Sequence, residues 1–369
     1  MPHLEHLRLI RLPERFERRK NGGGSPPPAR DPRGHSARLT AELNTVVAAQ
    51  RARRRPEFVD PALILRVRMV GARQESTWEG LGLTVLSSAS DRTLILFADH
   101  DDLRDFRQRI EAYSQGVPPG QRNPAYAAFV ANVESIGDVE PRDRIGLKLR
   151  ERGFVFEVDF LADEEYTLDL ELWDVGRREL RDRKLDEIGV YITYRGGEVH
   201  DRYVGPSISM VRITVNGTLI RTLLTVDAVA GIDLPPEPDG RAEAAIAVDL
   251  GQLPELAPLD DDAPLIGVID SGINDHPLIA DILVGAIGVP ANLGTADVWG
   301  HGTVVGGIAV FGDIVGQLNA GALNRGARLC SAKVVNDQGA FDNRCLVPSQ
   351  MREAIQSLRC TPNTGVEYL

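Results

Sequence analysis

Apolar and polar positions alternate with different periods along the chain, and the changes of period mark its parts. In residues 1–20 charges are scattered among the apolar residues, with no uninterrupted apolar run. A basic arm leads into 21–34, where Gly-rich flexibility joins a stiff Pro-rich run, and this stretch reads as a linker. Within 35–59, Leu39, Leu43, Val46 and Val47 stand at i, i+4, i+7 and i+8, which predicts one helix with a narrow apolar face over 35–55. The period then shortens. Residues 62–70 alternate Leu, Ile and Val with Arg, as in a half-buried strand, and 83–87 and 93–98 read as two more strands. A helix is expected next, capped by Asp101 or Asp102, with Leu103, Phe106 and Ile110 facing inward. A second helix is predicted over 123–135, where Tyr126, Phe129 and Val133 share a face. Strand-like stretches return at 154–161, 166–173, 190–194 and 207–215, with 219–226 after an Asn216-Gly217 hairpin signal. Without regular β-α-β alternation, 60–231 is expected to form an α+β domain.

Residues 232–264 carry six prolines and the run Asp260, Asp261 and Asp262, and they predict an acidic Pro-rich linker open to proteolysis. Beyond it, 265–269 is wholly apolar, the pattern of a parallel strand buried on both faces. The overall expectation is an α/β protein: an α+β N-terminal domain followed by part of a parallel-sheet α/β domain over 265–369.

A length of 369 residues suggests two or three domains, and 43% hydrophobic with 26% charged residues is ordinary for a globular protein. No apolar run approaches the roughly 20 residues of a membrane span. Charges interrupt the first 20 residues, so no signal-peptide core is expected there. Cys330, Cys345 and Cys360 make an odd set without a C-x-x-C pair, which points to a reducing, cytoplasmic setting; their spacing matches no zinc pattern. The net charge of −11 is unevenly spread: residues 1–55 hold 13 Lys and Arg against 5 Asp and Glu, the remainder 29 against 48. An acidic body argues against nucleic acid as the main ligand. Arg51, Arg53, Arg54 and Arg55 read as a solvated tail or the polar end of a helix, with contact to an acidic partner or a phosphate backbone as the alternative.

Chemistry concentrates after the second linker. Asp270-Ser271-Gly272 places a carboxylate at the C-terminal end of the apolar strand, where open α/β sheets hold their ligands, and Gly272 permits a sharp exit. Gly300-His301-Gly302-Thr303-Val304-Val305-Gly306-Gly307 reads as a helix beginning at the histidine. Its glycines oppose helix propensity and are expected where backbone packs closely on backbone. A histidine at a helix start beside a carboxylate suits a general base. The other histidines, His3, His6, His35, His100, His200 and His276, show no pairing.

Asp270-Ser271-Gly272 followed by His301-Gly302-Thr303-x-Val305-x-Gly307 resembles the first two catalytic motifs of the subtilisin-like serine peptidases (subtilases). Asp275-His276-Pro277-Leu278 and the stretch from Gly326-Ala327 to Lys333-Val334-Val335 are similar to the family's turn after the aspartate and strand after the histidine helix. Gly306 departs from the family's usual alanine. The matched part spans about 264–358. The resemblance implies a subtilisin-type endopeptidase in which His301 is the general base and Asp270 orients it, with no cofactor or metal. The family's serine, in a Gly-Thr-Ser setting, and its oxyanion asparagine have no counterpart in this sequence; Ser349 is expected to cap a helix through Leu358. This implies a chain cut short before its nucleophile. It also leaves a second reading, an inactive truncated subtilase serving as a binding or regulatory protein. The 60–231 region would then be a pro-domain or a recognition domain. The layout resembles bacterial intracellular subtilases found beside an AAA-type ATPase, which implies a polypeptide substrate and such an ATPase as partner.

Overall fold

In the computed structural model the described residues are 28–53, 63–70, 78, 80–81, 83–89, 93–98, 103–174, 178–238, 253–260 and 262–359. The chain divides into two compact units between Leu234 and Pro235. The basic arm before residue 28, Arg54, Arg55, Asp101, Asp102 and Cys360 lie outside the described residues.

In the first unit, α1 (Pro32–Arg53) sets Leu39, Leu43, Val46 and Val47 into a core with β1 (Leu63–Met69). The alternation of β1 sends Leu65, Val67 and Met69 inward, while Arg66 and Arg68 lie on the opposite face. β1 pairs antiparallel with β3 (Thr93–Ala98), which pairs with β2 (Leu83–Ala89); β4 (Val133–Gly137) closes the other side, giving the order β2-β3-β1-β4. α2 (Arg104–Ser114) buries Phe106 and Ile110 as its spacing requires, but its N-cap position is Leu103, which makes no side-chain cap bond. The helix expected over 123–135 is a correction: one turn, α3 (Ala127–Val130), precedes β4, where Val133 pairs with Met69. The open edge of β1 takes a partner strand, and that pairing outweighs the local helical spacing.

A second antiparallel sheet follows in the order β6-β7-β5-β8, from β5 (Glu165–Leu172), β6 (Glu198–Val204), β7 (Ser209–Asn216) and β8 (Val229–Asp233). Together with α4 (Leu147–Glu151), α5 (Arg178–Tyr194) and α6 (Gly217–Leu223), it has its own core around Leu168, Leu170, Leu185, Ile188, Ile213 and Ile220. The single α+β region expected over 60–231 thus contains two sheets with two cores. Arg144, 2% exposed, lies beside both, donating to the carbonyls of Val139, Leu224 and Val229. Behind the second sheet, Arg212 makes two hydrogen bonds of 2.7 and 2.8 Å to Asp169, so this buried charge pair is satisfied in bidentate geometry.

Three further expectations are corrected in this sheet region. Residues 154–161 hold a single 3-10 turn at Glu157–Asp159 rather than a strand, because Phe154, Phe160 and Tyr166 cluster with ring centroids 5.0–5.7 Å apart. Residues 190–194 end α5, whose buried Leu185, Ile188 and Ile192 follow helical spacing. Asn216-Gly217 starts α6 rather than a hairpin: Asn216 Oδ1 accepts from the Leu219 N–H at 2.9 Å. A Cβ on Gly217 would lie 2.1 Å from the Leu161 carbonyl oxygen, so only glycine fits that close approach.

The second unit is a parallel sheet between two helical layers. β9 (Leu265–Asp270), β10 (Leu283–Gly288) and β11 (Arg328–Lys333) run parallel in the order β10-β11-β9. On one face α7 (His301–Phe311) packs over Val268, Ile273 and Leu329; on the other, α9 (Val347–Arg359) brings Ala354 to Ala332 and Val334. A short helix, α8 (Ile314–Asn319), follows α7, with Asp313 accepting from the Gly316 N–H as its cap. Within this sheet β11 is the strand buried on both faces; β9, expected in that role, is half-buried along an edge with only Val268 fully covered. The predicted linker is also narrower than expected. Its first residues finish β8, and Leu253, Leu256 and Leu259 pack on the α7-side core, where the Ala257 N–H donates to the Leu323 carbonyl at 3.1 Å. No helix among the described residues is long and apolar enough to cross a membrane.

Candidate active site

Asp270 ends β9, and its backbone carbonyl accepts from the Val334 N–H at 2.7 Å, tying the strand end to the segment after β11. The chain then turns through Gly272 at φ +107°, a left-handed conformation, where a Cβ would sit 2.5 Å from the Thr295 carbonyl oxygen. Only glycine serves there. α7 begins at His301, after Gly300 in the left-handed region at φ 89°.

The two predicted residues meet. His301 Nδ1 lies 2.8 Å from Asp270 Oδ1 and 3.0 Å from Oδ2. Because a carboxylate only accepts, this contact puts the imidazole proton on Nδ1 and leaves the lone pair of the neutral ring on Nε2. Asp270 is 16% exposed and His301 37%, so the carboxylate is sheltered while the ring remains reachable. The Trp299 ring lies 5.4 Å from the imidazole, tilted by 31°, and covers part of it.

A second carboxylate, missed in the sequence reading, builds the start of α7. Asp297 Oδ1 accepts from the Ser271 hydroxyl and the Gly300 N–H, both at 2.7 Å. Its Oδ2 accepts from the Thr303 N–H at 2.7 Å and the Thr303 hydroxyl at 2.6 Å. Ser271 Oγ in turn accepts from the Gly302 N–H at 2.9 Å. Asn274 pairs with the Asp297 backbone in both directions at 2.8 Å. Burial raises the Asp297 pKa, but these hydrogen bonds outweigh it and hold the carboxyl below the usual carboxylate range. The available signal was an acid shortly before a helix start, the chemistry of an N-cap.

The α7 glycines divide. A Cβ on Gly302 would lie 2.1 Å from the Gly272 carbonyl oxygen, and one on Gly306 2.9 Å from Ile273 Cδ1; one on Gly307 would meet open space. Close packing therefore accounts for Gly302 and Gly306 but not for Gly307. Gly302→Ala is expected to destabilise the protein by about 2–3 kcal/mol through overpacking against backbone. Gly307→Ala, freed of that conflict, is expected to stabilise by about 0.5–1 kcal/mol through helix propensity. Chemical denaturation of both variants separates the two cases; an equal loss at both would remove the packing account.

The serines of this unit lie elsewhere. Ser271 is committed to Asp297 and Gly302, and Ser331 is buried in β11. Ser349 is not a cap: α9 starts at Val347 with Pro348 in its first turn, and the Ser349 hydroxyl is buried without a hydrogen-bond partner. Among the described residues the hydrogen bonds of the His301 ring are the two at Nδ1, so no serine hydroxyl stands at Nε2. Cys330 is buried in β11, where burial pushes its thiol pKa up, and Cys345 is half-buried. His35 and His200 bond the Val130 carbonyl and the Thr214 hydroxyl, and His276 Nδ1 accepts from the Leu278 N–H in a turn.

Comparison with known proteins locates the chain's relatives. Residues 33–140 match the Y4kK N-terminal domain and residues 143–234 the Y4kK central domain. That division falls between the two sheets of the first unit and leaves Asp270 and His301 outside both matches. The uncharacterized protein y4kK of Sinorhizobium fredii (strain NBRC 101917 / NGR234) is 55% identical over 285 residues, 77% of this chain and 91% of that protein. On this identity and coverage the chain belongs to the Y4kK family.

Proposed function

We propose that this protein carries the acid and base of a subtilisin-type serine endopeptidase. The observation behind the reading is the 2.8 Å contact between Asp270 and His301 Nδ1, with the acid at a parallel strand's C-terminal end and the base opening a helix. In this chemistry His301 Nε2 takes the proton of a serine hydroxyl as it attacks a peptide carbonyl and returns it to the leaving amine. Asp270 holds the tautomer and stabilises the imidazolium. On this reading the serine is to be supplied at Nε2, and an oxyanion donor beside the carbonyl it attacks, by a segment other than the described residues. The substrate is a polypeptide, the setting cytoplasmic, and an AAA-type ATPase the partner; these rest on the resemblance of the motifs and layout.

A fluorophosphonate serine probe tests the reading. The 369-residue chain is expected to remain unlabelled. A preparation supplied with a serine-bearing segment is expected to label, and His301→Ala to abolish that labelling. Labelling of the 369-residue chain that survives His301→Ala would sink the assignment.

A further inference from the structure

Within the first unit a cavity of about 640 Å³ lies between the outer face of the first sheet and the second sheet, within the usual size of small-ligand sites. The strand period of β1 places Arg66 and Arg68 on the cavity side. Arg66 is neutralised by Glu140 and Asp143 at 2.7 Å each, and Arg142 by Glu140. Three charged groups in the lining are not so used. Among the described residues Arg68 makes no ion pair or hydrogen bond, Arg150 bonds only the Arg142 carbonyl, and Glu171 bonds nothing. Trp173, 8% exposed, also lines the cavity, and its indole N–H is buried without a partner. Leu86, Val139 and Leu172 add apolar surface.

We propose that this cavity binds the C-terminal end of a peptide, with Arg68 and Arg150 taking the carboxylate and Glu171 accepting from an amide or amino N–H. Two guanidiniums without an acidic partner among the described residues offer an anion several charge-assisted N–H donors. A bare phosphate would leave Glu171 facing a like charge and the apolar surface uncovered. A peptide end supplies the anion, a donor and an apolar side chain together. Partial burial and the neighbouring Asp174 carboxylate raise the Glu171 pKa, although the residue still reaches solvent, and an N–H donor would favour its charged form. As the site of a recognition domain, the cavity deepens the peptidase reading, but the binding is measured without turnover, so either can fail alone.

Calorimetry on the full chain carrying His301→Ala, titrated with the dipeptide alanyl-leucine, is expected to give a Kd of about 1 mM or tighter. C-terminal amidation of the dipeptide, or the double variant Arg68→Ala/Arg150→Ala, is expected to weaken binding at least about tenfold. Glu171→Gln is expected to weaken the free dipeptide more than its N-acetylated form, because only the free ammonium loses an opposite charge while an amide N–H can still donate to the glutamine oxygen. Circular dichroism of each variant checks folding, and the amide comparison on unaltered lining residues stands even if a variant unfolds. Absence of dipeptide binding, equal binding of the amide, or inorganic phosphate binding as tightly with the same arginine dependence would overturn the proposal; the last would make the cavity a simple anion site.

Discussion

On the proposed peptidase reading, in a preparation supplied with a serine-bearing segment, Asp270→Asn is expected to lower kcat by about 10⁴-fold. The amide cannot stand in for the carboxylate at His301 Nδ1. Its NH2 can donate there, which favours the proton on Nε2, the nitrogen that must accept from serine. The side chain keeps its size, so the fold is expected to be unchanged. His301→Ala is expected to cost at least as much, because it removes the proton acceptor itself. Steady-state kinetics on a peptide substrate, with thermal unfolding as the control, read both. Retention of more than about a tenth of the activity by either variant would dissociate this pair from catalysis.

Asp297→Ala is expected to destabilise the protein by about 3–5 kcal/mol, because it strips four donors of their acceptor in a site only 4% exposed. The pH dependence carries a sign. The folded-state pKa of Asp297 lies below its unfolded value. Its stabilisation is therefore fully present above the ordinary carboxylate pKa of about 4 and is lost as pH falls through the depressed folded value. The variant is expected to lose stability at neutral pH and show a flatter acid limb below pH of about 4. Urea denaturation between neutral and acid pH measures both; parallel curves for the two proteins would assign the carboxylate no part in acid unfolding.

Legibility varied with how local the controlling interaction was. The strand ending at Asp270 and the helix opening at His301 were readable because each is a short run with its own punctuation: apolar residues closed by Asp-Ser-Gly, glycines around a histidine. Leu39, Leu43, Val46 and Val47 were readable as one face for the same reason. Phe154, Phe160 and Tyr166 were misread because strand-like composition also serves an aromatic cluster on a turn. Asn216-Gly217 was misread because one dipeptide suits both a hairpin turn and a helix cap. For Asp297 the local part, an acid just before a helix start, was legible, but its bond to the Ser271 hydroxyl 26 residues away was not.

By itself the sequence determined the α/β class, the position of the candidate acid and base, and the close backbone approach at Gly302. Those features depend on side-chain period, chain reversal and the missing Cβ, all properties of a few neighbouring residues. Tertiary structure alone decided that two sheets occupy residues once read as one region, that 253–259 pack against the second unit's core, and that Asp297 takes the Ser271 hydroxyl. It alone placed the free charges of Arg68, Arg150 and Glu171 around one cavity. Strand pairing, packing and charge compensation are settled between segments far apart in the chain, and a local pattern carries no record of which partner a residue meets.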